Sequence, residues 1–175
     1  LTLLPVVGAE TKTAPSAAVI EAAKAPAAQL FHAGEWQIDA LYQGRGSEWR
    51  SIEHGGGVAV NYFPWRAAGF GFEAKTFDTK HAFFDRLGFN IIGRLPIETL
   101  RIAPDIRVGF DYDLERASER AGDRKGDGFE VYASIGAEFR ITDHVGVGAE
   151  VRGVRPVDGP QGEHILGILR LRYSF

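Results

Sequence analysis

The amino-acid sequence predicts an all-β chain in which eight antiparallel strands run up and down and close into a barrel. Three observations predict it. From Gly34 to the C-terminus the hydrophobic period is two, the period of a half-buried strand rather than of a helix. The segments joining the strand-like runs alternate between short and long. One face of each run is nearly free of charge, while the other carries charges of both signs and most of the glycine.

Leu1–Ala9 is short, apolar and ends in small residues, the pattern of the back half of a secretory signal cut after Ala9. Residues 10–33 are rich in Ala, Pro, Ser and Lys and read as a flexible leader with a brief helix over 17–24. Three placements of this leader stay open: free in solution, docked into the barrel mouth, or against another protein. The barrel domain is residues 34–175.

Strands are expected at 35–44, 55–63, 67–77, 84–95, 100–113, 128–140, 145–156 and 164–175. The first sets Trp36, Ile38, Ala40 and Tyr42 against Gln37, Asp39, Leu41 and Gln43. The third sets Ala68, Phe70, Phe72 and Ala74 against Gly69, Gly71, Glu73 and Lys75. The fifth opposes Ile106, Val108, Phe110 and Tyr112 to Arg107, Gly109, Asp111 and Asp113. The sixth and seventh oppose Val131, Ala133, Ile135, Val147 and Val151 to Glu130, Glu138, Arg140, Glu150 and Arg152. The last opposes Ile165, Leu169, Leu171, Tyr173 and Phe175 to His164, Arg170, Arg172 and Ser174. Tight turns are expected at 63–66, 96–99 and 142–144, and longer polar connections at 45–54, 78–83, 114–127 and 157–163.

Alternation alone does not say which face is outside. A soluble lipocalin-like carrier would put the apolar face inward. The chain has no run of 18 apolar residues for a transmembrane helix, but a membrane-spanning strand needs only about ten residues with every second one apolar. Three features favour an apolar face turned outward to lipid. Gly57, Gly69, Gly71, Gly88, Gly109, Gly136, Gly146 and Gly148 share the charged face, where they make room inside a narrow barrel. The charges on that face nearly cancel: Asp39, Glu73, Asp105, Asp111, Asp113, Glu130, Glu138 and Glu150 oppose Lys75, Arg86, Arg94, Arg107, Arg140, Arg152, Arg170 and Arg172. A water-excluded interior requires such pairing. Aromatics collect near strand ends: Trp36, Tyr62, Phe63, Trp65, Phe139, Tyr173 and Phe175 at one rim, and Tyr42, Phe77, Phe83, Phe84 and Tyr112 at the other. The expected fold is therefore an eight-stranded up-and-down transmembrane β-barrel with short periplasmic turns and longer extracellular loops.

The chain ends Arg170-Leu171-Arg172-Tyr173-Ser174-Phe175. This resembles the C-terminal signature of bacterial outer-membrane proteins, with Leu171, Tyr173 and Phe175 as the alternating residues. The stretch Gly55–Pro64 followed by Gly69–Glu73 resembles the strand–turn–strand of OmpA-like and OmpX-like barrel domains. The resemblance implies an outer-membrane location with periplasmic termini. It also implies contact with membrane lipid and lipopolysaccharide, and recognition by the barrel-assembly machinery. It implies no activity, because function lives in sites rather than in folds.

The function classes narrow accordingly. No Cys is present, so disulfides and thiolate metal sites are excluded. The net charge of −3, spread along the chain, excludes a basic nucleic-acid surface. A lipid A deacylase barrel would place His and Ser two apart on one strand, and no His-x-Ser occurs. Ser51, Glu53 and His54 form a triad only on paper. His54, His81 and His164 fall towards the long-connection end without a spaced ligand pair. The expectation is a non-enzymatic structural or interaction-mediating barrel without cofactor or metal, whose partner would meet the leader or the loops. A narrow diffusion channel and a lipid-modifying enzyme are the rivals.

Overall fold

The computed structural model describes residues 29–47, 51–77, 84–114, 128–157 and 163–175. The expected signal remnant, the helix at 17–24, His81, Phe83 and most of the 114–127 connection lie outside the described residues.

Eight strands form one closed antiparallel barrel in sequence order: β1 (Glu35–Ser47), β2 (Ser51–Trp65), β3 (Ala68–Thr76), β4 (Arg86–Arg94), β5 (Ile102–Asp113), β6 (Phe129–Arg140), β7 (Val145–Pro156) and β8 (His164–Ser174). The first and last strands pair from Gln37↔Ser174 to Arg45↔Leu166, so no sheet edge is left. The ladder is staggered. Following partners from Trp36 through Tyr62, Phe70, Ile91, Val108, Ala133 and Gly153 to Ile165 returns to β1 one residue above Arg45, ten residues beyond the start. That shear requires strongly tilted strands, at roughly 35–45° to the axis.

Three connections differ from the sequence reading. The 45–54 segment is largely ladder, with Gly44↔His54 and Arg45↔Glu53 paired; backbone pairing continues past the point where apolar alternation stops. The expected turn at 63–66 is strand up to Trp65, with a bulge between Tyr62 and Trp65, and the chain reverses at Arg66–Ala67. The 96–99 turn continues into a 3-10 turn at Glu98–Leu100. Arg101 follows in the left-handed region at φ 56°, so β5 starts at Ile102 rather than at residue 100.

The barrel is inverted relative to a soluble one. Ile38, Phe72, Ile91, Ile106, Val108, Ile135, Val151, Leu169 and Leu171 stand exposed on the wall, with Ile106 at 63% and Ile135 at 67%. The core holds the charges: ten carboxylates and eight cationic side chains are buried among the described residues. The inward glycines make this possible. A Cβ on Gly109 would lie 2.9 Å from the Tyr132 ring and from Asn90 Cβ, and closer still to the Phe89 carbonyl oxygen. A Cβ on outward Gly167 would meet nothing within 4 Å.

Candidate functional site

The strongest chemical concentration in the molecule is the lumen. Its side chains come from alternate residues of all eight strands, because the pleat turns every second residue inward. All sixteen charged residues that the sequence placed on the inner face lie there: Asp39, Glu73, Lys75, Arg86, Arg94, Asp105, Arg107, Asp111, Asp113, Glu130, Glu138, Arg140, Glu150, Arg152, Arg170 and Arg172 are buried.

Most of them form a connected network, whose two parts meet where Arg170 lies 3.9 Å from Asp39. At the short-turn end Arg94 Nη2 donates to Glu35 at 2.6 Å, Arg140 bonds Glu35 and Glu138, and Gln37 Nε2 donates to Glu35 at 2.8 Å. Arg172 links Glu138 to Asp39, donating to Asp39 Oδ1 at 2.6 Å. Asn61 Nδ2 donates to Asp39 at 3.0 Å. Deeper in, Arg152 donates to both Glu73 oxygens at 2.8 and 2.9 Å and to Glu150 at 2.8 Å. Lys75 bridges Glu73 at 2.9 Å and Asp111 at 2.7 Å. Arg170 meets Glu150, and Arg107 donates to Asp105 at 3.0 Å. Towards the long connections Arg86 pairs with Glu130 at 2.7 Å and with Asp113 at 3.4 Å.

Aromatic and aliphatic groups pack around this network. Tyr132 lies under Arg152, 3.8 Å from its ring centroid, with Lys75 at 5.5 Å; a cation over a desolvated ring face is stabilised by about 2 kcal/mol. Leu41, Ala59, Val154, Leu166 and Ile168 form an inward apolar cluster with Tyr132, and Phe77 packs against it. At the short-turn end Phe31, Phe63, Ile92 and Ala103 are buried. Two residues of the expected aromatic rims are therefore interior. Phe63 follows the inward parity of Ala59 and Asn61, and Phe77 turns towards the lumen under Arg86.

Sequence reasoning missed Glu35, which anchors the network's short-turn end, and Phe31 as the leader residue that docks. Glu35 shares the parity of Gln37 and Asp39, the signal that could have found it, whereas a lone Phe in an Ala-rich leader carries no periodic signal.

The remaining expected residues lie on the wall or its rims. Trp36, Tyr42, Trp65, Phe139 and Tyr173 are exposed and Tyr62 is half-buried, its ring tilted against that of Trp36 at 4.6 Å. Leu171, Tyr173 and Phe175 all face outward and are exposed.

Of the Ser51, Glu53 and His54 grouping, the Ser51 side chain lies outside what the structure describes. His54 Nδ1 lies 2.6 Å from the Tyr42 hydroxyl on the outer wall, whereas His164 falls on the inward parity of β8. Among the described residues no group of three or more His, Asp or Glu side chains is arranged to hold a metal ion.

No family model matches the chain, and no curated protein matches its sequence. Solved structures do match its fold. The N-terminal β-barrel domain of Pseudomonas aeruginosa OprF superposes with a TM-score of 0.59 at 12% identity, over 82% of this chain and 98% of that one. A de novo designed transmembrane β-barrel superposes with a TM-score of 0.51 at 10% identity, over 82% and 97%. The shared feature is the closed eight-stranded fold.

Proposed function

We propose that this chain is an integral outer-membrane barrel that neither conducts nor catalyses, and that acts as a structural or interaction-mediating module. One observation carries the reading: the wall is apolar and the paired charges are inside. In water the reverse arrangement would be favoured, since exposed Ile, Val, Phe and Leu gain nothing there and buried ions lose hydration. In lipid the arrangement is the stable one, and a closed ladder satisfies the backbone. The fold likeness to a designed transmembrane barrel supports it.

The short turns and the strand termini Glu35 and Ser174 then lie on the periplasmic side. Trp36, Tyr62, Trp65, Phe139 and Tyr173 meet one headgroup layer, and Tyr42 meets the other. Membrane lipid and lipopolysaccharide contact the wall, Leu171, Tyr173 and Phe175 serve the assembly machinery, and any protein partner meets the loops or the leader. The packing argues against a channel: charged residues from Glu35 at one end to Arg86 at the other are at most 8% exposed, whereas a water-filled pore leaves its lining wet.

The test is electrophoresis of the detergent-refolded chain with and without boiling, followed by planar-bilayer recording. A faster unheated band and a silent bilayer are expected. A chain that stays soluble in plain buffer with no heat-dependent band would overturn the membrane reading. Discrete conductance steps would replace the structural role with a channel.

A further inference from the structure

We propose that the segment Gln29–Gly34 just before β1 forms a removable stopper for the short-turn mouth of the lumen, with Phe31 as its single anchor. Of Gln29–Gly34 only Phe31 is buried, at 0% exposure, while Gln29, His32, Ala33 and Gly34 face water and Leu30 is half-buried. The Phe31 ring lies 4.9 Å below the Arg140 guanidinium and 5.3 Å from that of Arg94. Arg94 also stacks on Phe63 at 3.7 Å. Two aromatic rings thus cover Arg94, and Phe31 covers the end of the network where Arg94 and Arg140 converge on Glu35.

The chain is steered into this position. Gly34 adopts φ 79° and donates its N–H to the Phe63 carbonyl at 2.7 Å. This left-handed residue turns the backbone from the wall to beneath the mouth, and an L side chain is strained there. The segment is then gripped by side chains instead of ladder bonds. Arg66 Nε donates to the Phe31 carbonyl at 3.2 Å, and Arg94 Nη2 donates to the His32 carbonyl at 3.3 Å. The Leu30 N–H donates to Glu98 at 3.2 Å, and Glu98 pairs with Arg66 at 2.7 Å.

One apolar anchor and side-chain bonds at a wet rim hold this segment, whereas β1 is laddered to β2 along its length and to β8 from Gln37 to Arg45. Local opening draws on such weakly held segments. The stopper can leave while the barrel stays closed. Its departure brings water to Glu35, Arg94 and Arg140, and leaves a cation-lined socket for an aromatic side chain on an extended strand.

The chain has no Cys, so one introduced thiol reports on this mouth. Ser174 faces inward beside Gln37, is 2% exposed, and its hydroxyl has no hydrogen-bond partner among the described residues. Ser174→Cys therefore changes little. In the folded barrel a charged methanethiosulfonate reagent, followed by mass, should modify this thiol slowly. Adding Phe31→Ala should accelerate modification at least tenfold, and Gly34→Val, which keeps the ring but disfavours its turn, should do likewise. Each variant is first checked for the unheated fast-migrating band. If Phe31→Ala does not fold, the Gly34→Val result decides. Rapid modification with the stopper intact, or unchanged slow modification in the folded variants, would overturn the proposal.

Discussion

Glu73 on β3 receives Arg152 of β7 in a two-pronged pair, with Nη1 at 2.8 Å from one carboxylate oxygen and Nη2 at 2.9 Å from the other. The two residues are 79 positions apart in sequence and both are buried. Glu73 also receives Lys75 at 2.9 Å and Asn90 at 3.1 Å. Replacing Glu73 by Gln keeps the shape and removes the charge that holds Arg152. Breaking one partner of a buried pair costs about 3–5 kcal/mol. Urea unfolding of the refolded barrel should show that loss. The double variant Glu73→Gln, Arg152→Met should unfold at a midpoint between the single Glu73 variant and the wild type. Equal midpoints for Glu73→Gln and wild type would show that the pair does not stabilise the lumen.

Gly109 and Gly167 test the two faces by the smallest possible change. Gly109→Ala puts a methyl group against the Phe89 carbonyl, Asn90 and the Tyr132 ring. Overpacking of this kind costs about 1–3 kcal/mol. Gly167→Ala adds a methyl group to open wall and should be neutral or slightly stabilising. The same urea titration separates them; equal losses would contradict the assigned interior.

These two glycines also show what the sequence made legible and why. The pleat imposes period two on every strand, so each side chain's face was readable one strand at a time. Glycine and balanced charge then distinguished inside from outside. Partners were not readable. Arg172 meets Asp39 across 133 positions, and that meeting depends on closure and on the ten-residue stagger, which no single strand records. Phe63 was misplaced because Pro64 suggested a turn where a bulge lets β2 continue. Leu41, Leu166 and Ile168 were placed inward by parity alone, without a charge to announce it, and are buried there. The stopper was one of three open placements because Ala-rich composition fixes no contact.

The wall gives a third prediction. Val108 stands at the middle of β5, exposed, with Ile91 and Ala133 as its lateral partners. In water Val108→Arg would be nearly neutral. At a bilayer midplane a lipid-facing Arg costs about 2–4 kcal/mol. Refolding into phosphatidylcholine vesicles should therefore yield less of the fast-migrating band for this variant. An unchanged yield would mean that the wall does not meet lipid at that height.

The fourth prediction separates the part proposed for Phe175 in assembly from its part in the finished barrel. Phe175 N–H donates to the Trp36 carbonyl at 3.0 Å, and Trp36 N–H donates to the Phe175 carbonyl at 3.0 Å, so the β1–β8 seam is closed there by backbone alone. The Phe175 ring is exposed and 6.2 Å from that of Tyr173. Phe175→Ser keeps both backbone bonds and removes only outward apolar surface, worth roughly 1.5–3 kcal/mol when fully buried and less at a rim. The purified variant should refold in detergent with nearly wild-type urea stability. In cells it should accumulate at several-fold lower levels in the outer-membrane fraction, because the outward-facing Leu171, Tyr173 and Phe175 would no longer present the complete alternating pattern. Wild-type accumulation in cells would remove the assembly role. A matching loss in refolding yield would assign the residue to the stability of the seam.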